Sequence, residues 1–345
     1  MKKILTYILL LAACSGHARL NGLQSRLDAV ADSCDIAVAL ITWQGDTLTA
    51  GDKGLRDAAS VVKFYQAAAM AQTVPFDTLV SKPVEITSAD LPGGTWSPLR
   101  ASTYALPDTL VPAQLLDYSL MVSDNNAFDI LCRHFLSPAQ IDSTLRSRGL
   151  ASDFNIAFTE AQMHADSTRR SLNTATALDA TKLIYRFFTS DTTASSTLVK
   201  AIMARESPFG ASRIPAGIPA NSAKVFHKTG TGFTDADGSV AAVNDLAFVS
   251  YATDGGYRCY ALGVFIGNAA TQAAAEETIA KVSNMVWQAI IVDEAMAMNR
   301  RGTAPAASGP VPPSSLPATD EEQSSWIEGL TEVILDEIVF PAIFE

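Results

Sequence analysis

"DAASVVKFYQAAAMAQ", residues 57–72, sets a serine and a lysine three positions apart at the mouth of a long apolar run. Residues i and i+3 of an α-helix share a face, so Ser60 and Lys63 are expected to point the same way and to touch. Behind them Phe64, Ala67, Ala68, Ala69 and Met70 read as a helix buried on most sides, which would partly desolvate a lysine in its first turn. Burial lowers a lysine's pKa and turns an inert ammonium into a base, and a serine becomes a nucleophile once such a base takes its proton. On its own, a Ser-x-x-Lys pair reads as a helix cap beside a lysine that snorkels to water. The companions of the pair decide between these readings.

Outward from this helix, the period of the sequence changes twice. Upstream, Leu23, Leu27 and Val30 recur at helical spacing, and "CDIAVALITWQGDTLTA" reads as two strands around a Gly-Asp turn. From about 57 to 200 the pattern is mostly helical, and "TATALDATKLIYRFF" opens on a capping signal, Thr176 and Asp179. From about 222, "AKVFHKTGTGF", "NDLAFVSYA" and "YRCYALGVFIG" read as three strands, followed by a helix from about Thr271 to Met298. Strands at both ends with helices between them predict an α/β domain from residues 19–56 and 200–299, with a helical domain, 57–199, inserted into it.

The 345 residues are 48% hydrophobic and 18% charged, enough to bury a large core. "MKKILTYILLLAACSGHARL" is too short in its apolar part to span a bilayer and reads as an export signal over residues 1–18. Within it, Leu11 to Cys14 resembles a lipobox, with Cys14 as the lipid-bearing residue; ordinary cleavage after Ala18 is the other reading. Cys34, Cys132 and Cys259 match neither a zinc nor a redox spacing and are read as small buried apolar residues. The formal net charge of −11 excludes a nucleic-acid partner, and the four histidines, none in a His-x-His pair, predict no metal site. A Pro/Ala/Ser-rich linker is expected over 300–318. Residues 319–345, with eight acids and no Lys or Arg, read as an amphipathic segment for the body or another protein.

Two further tripeptides accompany Ser60 and Lys63. Ser123, Asp124 and Asn125 fall between helical segments of the insert, where a loop can aim side chains into an interdomain cleft. Lys228, Thr229 and Gly230 fall on a strand expected to edge that cleft, with a glycine that would let substrate approach the backbone. Ser-x-x-Lys, Ser-Asp-Asn and Lys-Thr-Gly, in this order on helix, loop and strand, resemble the penicillin-recognising serine enzymes and more closely the class A β-lactamases.

That resemblance implies an antiparallel sheet flanked by helices and an acyl-enzyme on Ser60, with Lys63 as its base and Ser123, beside Lys228, returning a proton to the ring nitrogen. It gives Asn125 the substrate's side-chain amide and Thr229 and Thr231 its carboxylate side. The N–H groups of Ser60 and Thr231 then form the oxyanion hole. No cofactor is implied, and the body is expected to be a monomer. Glu160, between the second and third motifs, matches the glutamate that activates the deacylating water on the Ω loop. His164 is at i+4 from it, on the same helical face and able to share that water.

Most class A enzymes carry asparagine where His164 stands. "EAQMHAD", "TWSP" at 95–98 and "HKTGT" at 227–231 resemble instead the PER-type cephalosporinase branch. There Trp96 matches the aromatic at the mouth of the site, Arg213 the arginine that supports carboxylate binding, and cephalosporins are the implied substrates. Each role has a plainer rival: a solvated loop carboxylate for Glu160, a loop brace for His164, a surface aromatic for Trp96 and a packing arginine for Arg213. His227 is read as structural. A penicillin-binding carboxypeptidase or transpeptidase, which would acylate and stall, shares the three motifs and is opposed by Glu160; a non-catalytic β-lactam or peptidoglycan sensor that meets a partner through the C-terminal segment is opposed by the intact catalytic set.

Overall fold

The computed structural model describes residues 22–301 apart from Tyr104 and residues 254–255, with side chains described as far as residue 291. The expected export signal with Cys14 and the acidic segment 319–345 lie outside the described residues.

Helix α1 spans 22–31, and the three apolar residues that predicted it, Leu23, Leu27 and Val30, are buried on one face. It leads into β1 (Ile36–Thr42) and β2 (Thr47–Gly51). The turn between them places Gly45 at φ +86°, a left-handed conformation that suits glycine. Three more strands follow late in the chain: β3 (Lys224–Thr231), β4 (Val240–Thr253) and β5 (Gly256–Ala269). The five form one sheet in the order β2-β1-β5-β4-β3 with every neighbour antiparallel.

Every residue of β1 is buried, as expected of a strand covered on both faces. Ile36, Val38 and Leu40 join a core with α1 and with the C-terminal helix through Ile279, Val286 and Trp287. Ala37 and Ala39 turn the other way, into the larger core with Phe64, Leu183 and Ile184. Small residues on that face admit a helix close to the sheet. At Gly263 a Cβ would lie 2.4 Å from Thr181 Oγ1, so the approach requires glycine there.

Between β2 and β3 the chain is largely helical. Helix α2 (Val62–Thr73) has almost no polar face, and Val62 through Ala71 are all buried. It is surrounded because α3 (Pro112–Met121) and α4 (Asn125–His134) pack on each other beside it. Next in the chain come the short α5 (Glu160–Ala165), then α6 (Ala177–Ser190), which lies across β1, β4 and β5, and α7 (Ala194–Met203), which packs on α2 and α3. Thr176 caps α6 by accepting the Asp179 N–H. The last helix, α8 (Gln272–Arg301), covers the opposite face of the sheet. The result is the antiparallel sheet flanked by helices that the motifs imply.

Two local expectations are corrected. Of the three cysteines among the described residues, none in a disulfide, only Cys132 is buried; Cys34 and Cys259 are half-buried. Lys63 is not partly but wholly withdrawn from solvent, because α2 is enclosed from its first turn.

Candidate active site

Ser60 lies in a tight turn, Ala59–Val61, that feeds α2. Its side chain makes no cap; instead Lys63 Nζ meets Ser60 Oγ at 2.9 Å. The turn is shaped from both sides. Asp57 Oδ1 accepts the Ala59 N–H at 2.8 Å, holding Ala59 at φ +45°, a conformation that costs a non-glycine residue about 1 kcal/mol. From β3, Gly230 passes so close that a Cβ there would meet Ala58 O at 2.8 Å and Ala59 Cβ at 3.2 Å. The glycine is therefore needed by the Ser60 turn itself, a requirement beyond the approach of substrate expected from its place on the strand.

Lys63 is the hub of the arrangement. Its Nζ lies 2.6 Å from Asn125 Oδ1, 2.9 Å from Ser123 O, 3.3 Å from Ser123 Oγ and 3.5 Å from Glu160 Oε1. Burial lowers its pKa; Glu160, Asp124 and Asp129 act against the shift without cancelling it. Lys228, also buried, lies 3.1 Å from Ser123 Oγ and 3.0 Å from Thr229 O. Its pKa is held well below the ordinary lysine value by burial and then by the positive charges of Lys63 and Arg213. The Ser123 hydroxyl thus sits between two amines that give up protons more readily than usual.

The loop carrying Ser123, itself at φ +57°, is fixed by Asp124. This buried carboxylate accepts the N–H groups of Ala127 at 2.8 Å and Leu99 at 2.7 Å, and the Ser97 hydroxyl. It caps α4 and ties it to residues 95–99. Asn125 adds a main-chain bond to Trp96 O and a side-chain bond to Thr95 Oγ1. Trp96, 53% exposed, stands at the rim with its Nε1 bonded to Val122 O and its ring edge-on to Phe209 at 5.6 Å.

Glu160 is the first residue of α5, whose capping box is made by Thr159 and Gln162. Asp129 accepts the N–H groups of both Glu160 and Ala161, each at 2.8 Å, and so fixes where the Glu160 carboxylate begins. Burial pushes the Asp129 carboxyl up to about 7 against the pull of these two N–H groups and Lys63. His164 does share a face with Glu160, but its Nδ1 bonds the Glu160 main-chain oxygen at 2.8 Å, while Nε2 faces Thr95 Oγ1 at 3.4 Å. The ring therefore ties the helical turn to the loop at Thr95, and it packs on Phe233.

Arg213 is buried, and its guanidinium donors go to protein oxygens: Gly230 O, Asn244 O, Thr231 Oγ1 and Glu276 Oε1, the last from two nitrogens. It reaches the site through Thr231, which it holds at 2.7 Å. His227 pairs with Asp245 at 3.0 Å beside the site. Two recesses meet at Ser60. One, about 430 Å³, is lined by Ser123, Phe209, Thr229 and Thr231; the other, about 180 Å³, by Asp57, Glu160, Ser171 and Gly232. Asp57, Asp129, Phe209 and Glu276 escape a reading of the sequence. Only Asp129 carried a signal, its i+4 spacing from Asn125 on one helix face. Among the described residues no group of three His, Cys, Asp or Glu is arranged to hold a metal ion.

Comparison with known proteins adds a family to this geometry. The sequence model of the beta-lactamase enzyme family matches residues 23–290. A beta-lactamase of Phocaeicola vulgatus is 29% identical over 283 residues, spanning 79% of this chain and 85% of the relative. The extended-spectrum beta-lactamase PER-1 of Pseudomonas aeruginosa is 31% identical over 235 residues, 66% of this chain and 73% of PER-1. Among solved structures, a beta-lactamase from Chitinophaga pinensis superposes with a TM-score of 0.71 at 27% identity, over 78% of this chain and 99% of that one.

Proposed function

The chain belongs to the beta-lactamase enzyme family, class A, and from that premise we propose that it opens the β-lactam amide of penicillins, and cephalosporins in particular, through an acyl-enzyme on Ser60. β-Lactam hydrolysis, and with it antibiotic resistance, is its activity. The observation that carries the serine route is one buried amine, Lys63 Nζ, within 3.5 Å of Ser60, Ser123, Asn125 and Glu160 oxygens.

With Lys63 neutral, the Ser60 hydroxyl donates to Nζ. As Oγ bonds to the β-lactam carbonyl carbon, its proton passes to the amine. The carbonyl oxygen, now negative, is received by the N–H groups of Ser60 and Thr231, aided by the positive end of the α2 dipole. When the carbon–nitrogen bond breaks, Ser123 gives its proton to the ring nitrogen and is reprotonated from Lys228 or Lys63, both of whose pKa values are lowered. Thr229, Thr231 and Lys228 receive the substrate carboxylate, with Arg213 positioning Thr231. Asn125 accepts the side-chain amide, and Trp96 and His164 bound the cleft. In deacylation, Glu160 takes a proton from water, whose oxygen attacks the ester carbonyl and expels Ser60 Oγ; Oγ takes a proton from Lys63, and Glu160 returns its own to Lys63, which lies within reach of both.

Export directed by residues 1–18, with a lipid on Cys14 in a periplasmic setting, is likewise proposed, from the sequence. The catalytic assignment is tested by following product and intact mass of the purified protein with excess chromogenic cephalosporin. Many turnovers, abolished by Ser60→Ala and reduced by Glu160→Gln to one equivalent with a mass adduct on Ser60, are expected. A Glu160→Gln variant that turns over at the parental rate would remove Glu160 from deacylation. A parent that stalls after one equivalent would be a penicillin-binding enzyme or sensor.

A further inference from the structure

Asp57 is a carboxylate that this mechanism does not use. It stands three residues before Ser60 and lines the smaller recess with Glu160, Ser171 and Gly232. Its position is fixed at several points. Oδ1 accepts the Ala59 N–H at 2.8 Å, the Ser171 side chain hydrogen-bonds the carboxylate, and the residue's main-chain oxygen accepts Asn244 Nδ2 at 2.8 Å. The second oxygen, Oδ2, lies against the backbone beyond β3, where a Cβ on Gly232 would come within 3.3 Å of it. An ionised carboxylate offers about four acceptor sites, and the two hydrogen bonds to its oxygens leave acceptor capacity over.

The two recesses differ in charge. Lys228 and Arg213 stand behind the Thr229 and Thr231 side, suited to the substrate's carboxylate. No Lys or Arg lines the smaller recess, whose acids are Asp57 and Glu160, and Glu160 faces Lys63. A β-lactam seated with its carboxylate at Thr229 and Thr231 and its side-chain amide at Asn125 directs the remainder of its acyl side chain into that recess. We propose that Asp57 is a specificity-determining residue that selects β-lactams whose acyl side chain carries an ammonium group beside the amide. The proposal rests on the Ser60 reading above. Burial, and to a lesser degree the negative charge of Glu160, raise the Asp57 pKa; a bound ammonium offsets both by favouring the ionised form.

Ampicillin and benzylpenicillin differ only in such an amino group, so the full chain is assayed with both. The expected result is a higher kcat/KM for ampicillin in the parent and a ratio between the two that falls about tenfold in Asp57→Asn, the loss expected for one charge-assisted hydrogen bond. The amide oxygen of the variant can still accept the Ala59 N–H. A ratio that stays at the parental value, whether both rates fall together or neither does, overturns the proposal and leaves Asp57 as a support of the Ser60 turn. Should the variant not fold, the parent alone decides: the ampicillin preference should weaken as sodium chloride is raised, and a salt-independent ratio refutes the charge-based selection. Absence of turnover on both substrates would instead count against the Ser60 mechanism.

Discussion

Asp129→Ala separates the residues to which the chemistry is assigned from the one that aims them. Asp129 never faces the cleft, yet each of its oxygens holds one N–H of the first turn of α5 at 2.8 Å, and the first of those N–H groups belongs to Glu160. Removing the carboxylate leaves two donors in a region closed to water, at about 1–3 kcal/mol each. Part of that loss is offset, because burial already works against the Asp129 charge and has pushed its pKa up to about 7. A net destabilisation of about 2–3 kcal/mol is expected, a large share of the roughly 5–15 kcal/mol that holds a domain folded. The kinetic effect should be selective. Lys63 belongs to α2 and Ser60 to the turn that feeds it, and both keep their geometry, while Glu160 loses its anchor, and a displacement of about 1 Å slows a step on the order of a hundredfold. Urea unfolding measures the first effect and stopped-flow hydrolysis of a chromogenic cephalosporin the second, with a burst of one equivalent followed by slow turnover as the expected trace. Asp129→Asn, which retains one acceptor, should fall between parent and Ala on both scales. An unchanged urea midpoint, or acylation and deacylation slowed by the same factor, would refute the reasoning.

Two other perturbations follow from contacts beside the cleft. Gly210 has φ +82°, and a Cβ there would sit 2.3 Å from Thr229 Cγ2, so Gly210→Ala should drive Thr229 from its rotamer and raise KM about tenfold with an unchanged far-ultraviolet spectrum; Thr229→Ser, lacking that methyl, should recover part of the loss in the double variant, and a parental KM in the single variant would contradict the crowding. Burial holds the Asp117 carboxyl at about 6 in the fold against 3.8 ordinarily, exceeding the opposite effect of Arg205. A pKa raised by folding means that the folded chain binds the proton more tightly, so the stability Asp117 contributes is complete below 3.8 and is lost as pH rises through about 6. The stability of the parent relative to Asp117→Asn should therefore fall across that window, by on the order of 3 kcal/mol at 1.36 kcal/mol per unit, and a difference flat in pH would show that Asp117 titrates normally.

What the sequence discloses and what it conceals divide along the distance between interacting residues. Ser60 and Lys63 are three apart on one helix, and the strands around Lys228 announce themselves by alternation over neighbouring positions; such features are periodic, and period is what a chain displays directly. The residues missed act across the fold. Asp129 reaches a turn at 160, Glu276 reaches back to Arg213, and Asp57 meets Ser171 and the backbone at Gly232, and no local pattern prescribes these meetings. Burial of charge is concealed for the same reason: Lys228 reads as a lysine on a strand that edges the cleft, and only its burial, with Ser123, Lys63 and Arg213 closing around it, gives its pKa a direction. His164 shows both sides of this division. Its spacing correctly put it on the face of Glu160, but the partner of its Nδ1 is the Glu160 main-chain oxygen, which a side-chain periodicity has no means to indicate. Motifs thus locate the groups proposed to exchange protons, while the groups that fix their separations, Asp129 and Asp57 foremost, become visible only when the sheet and the helical region close on one another.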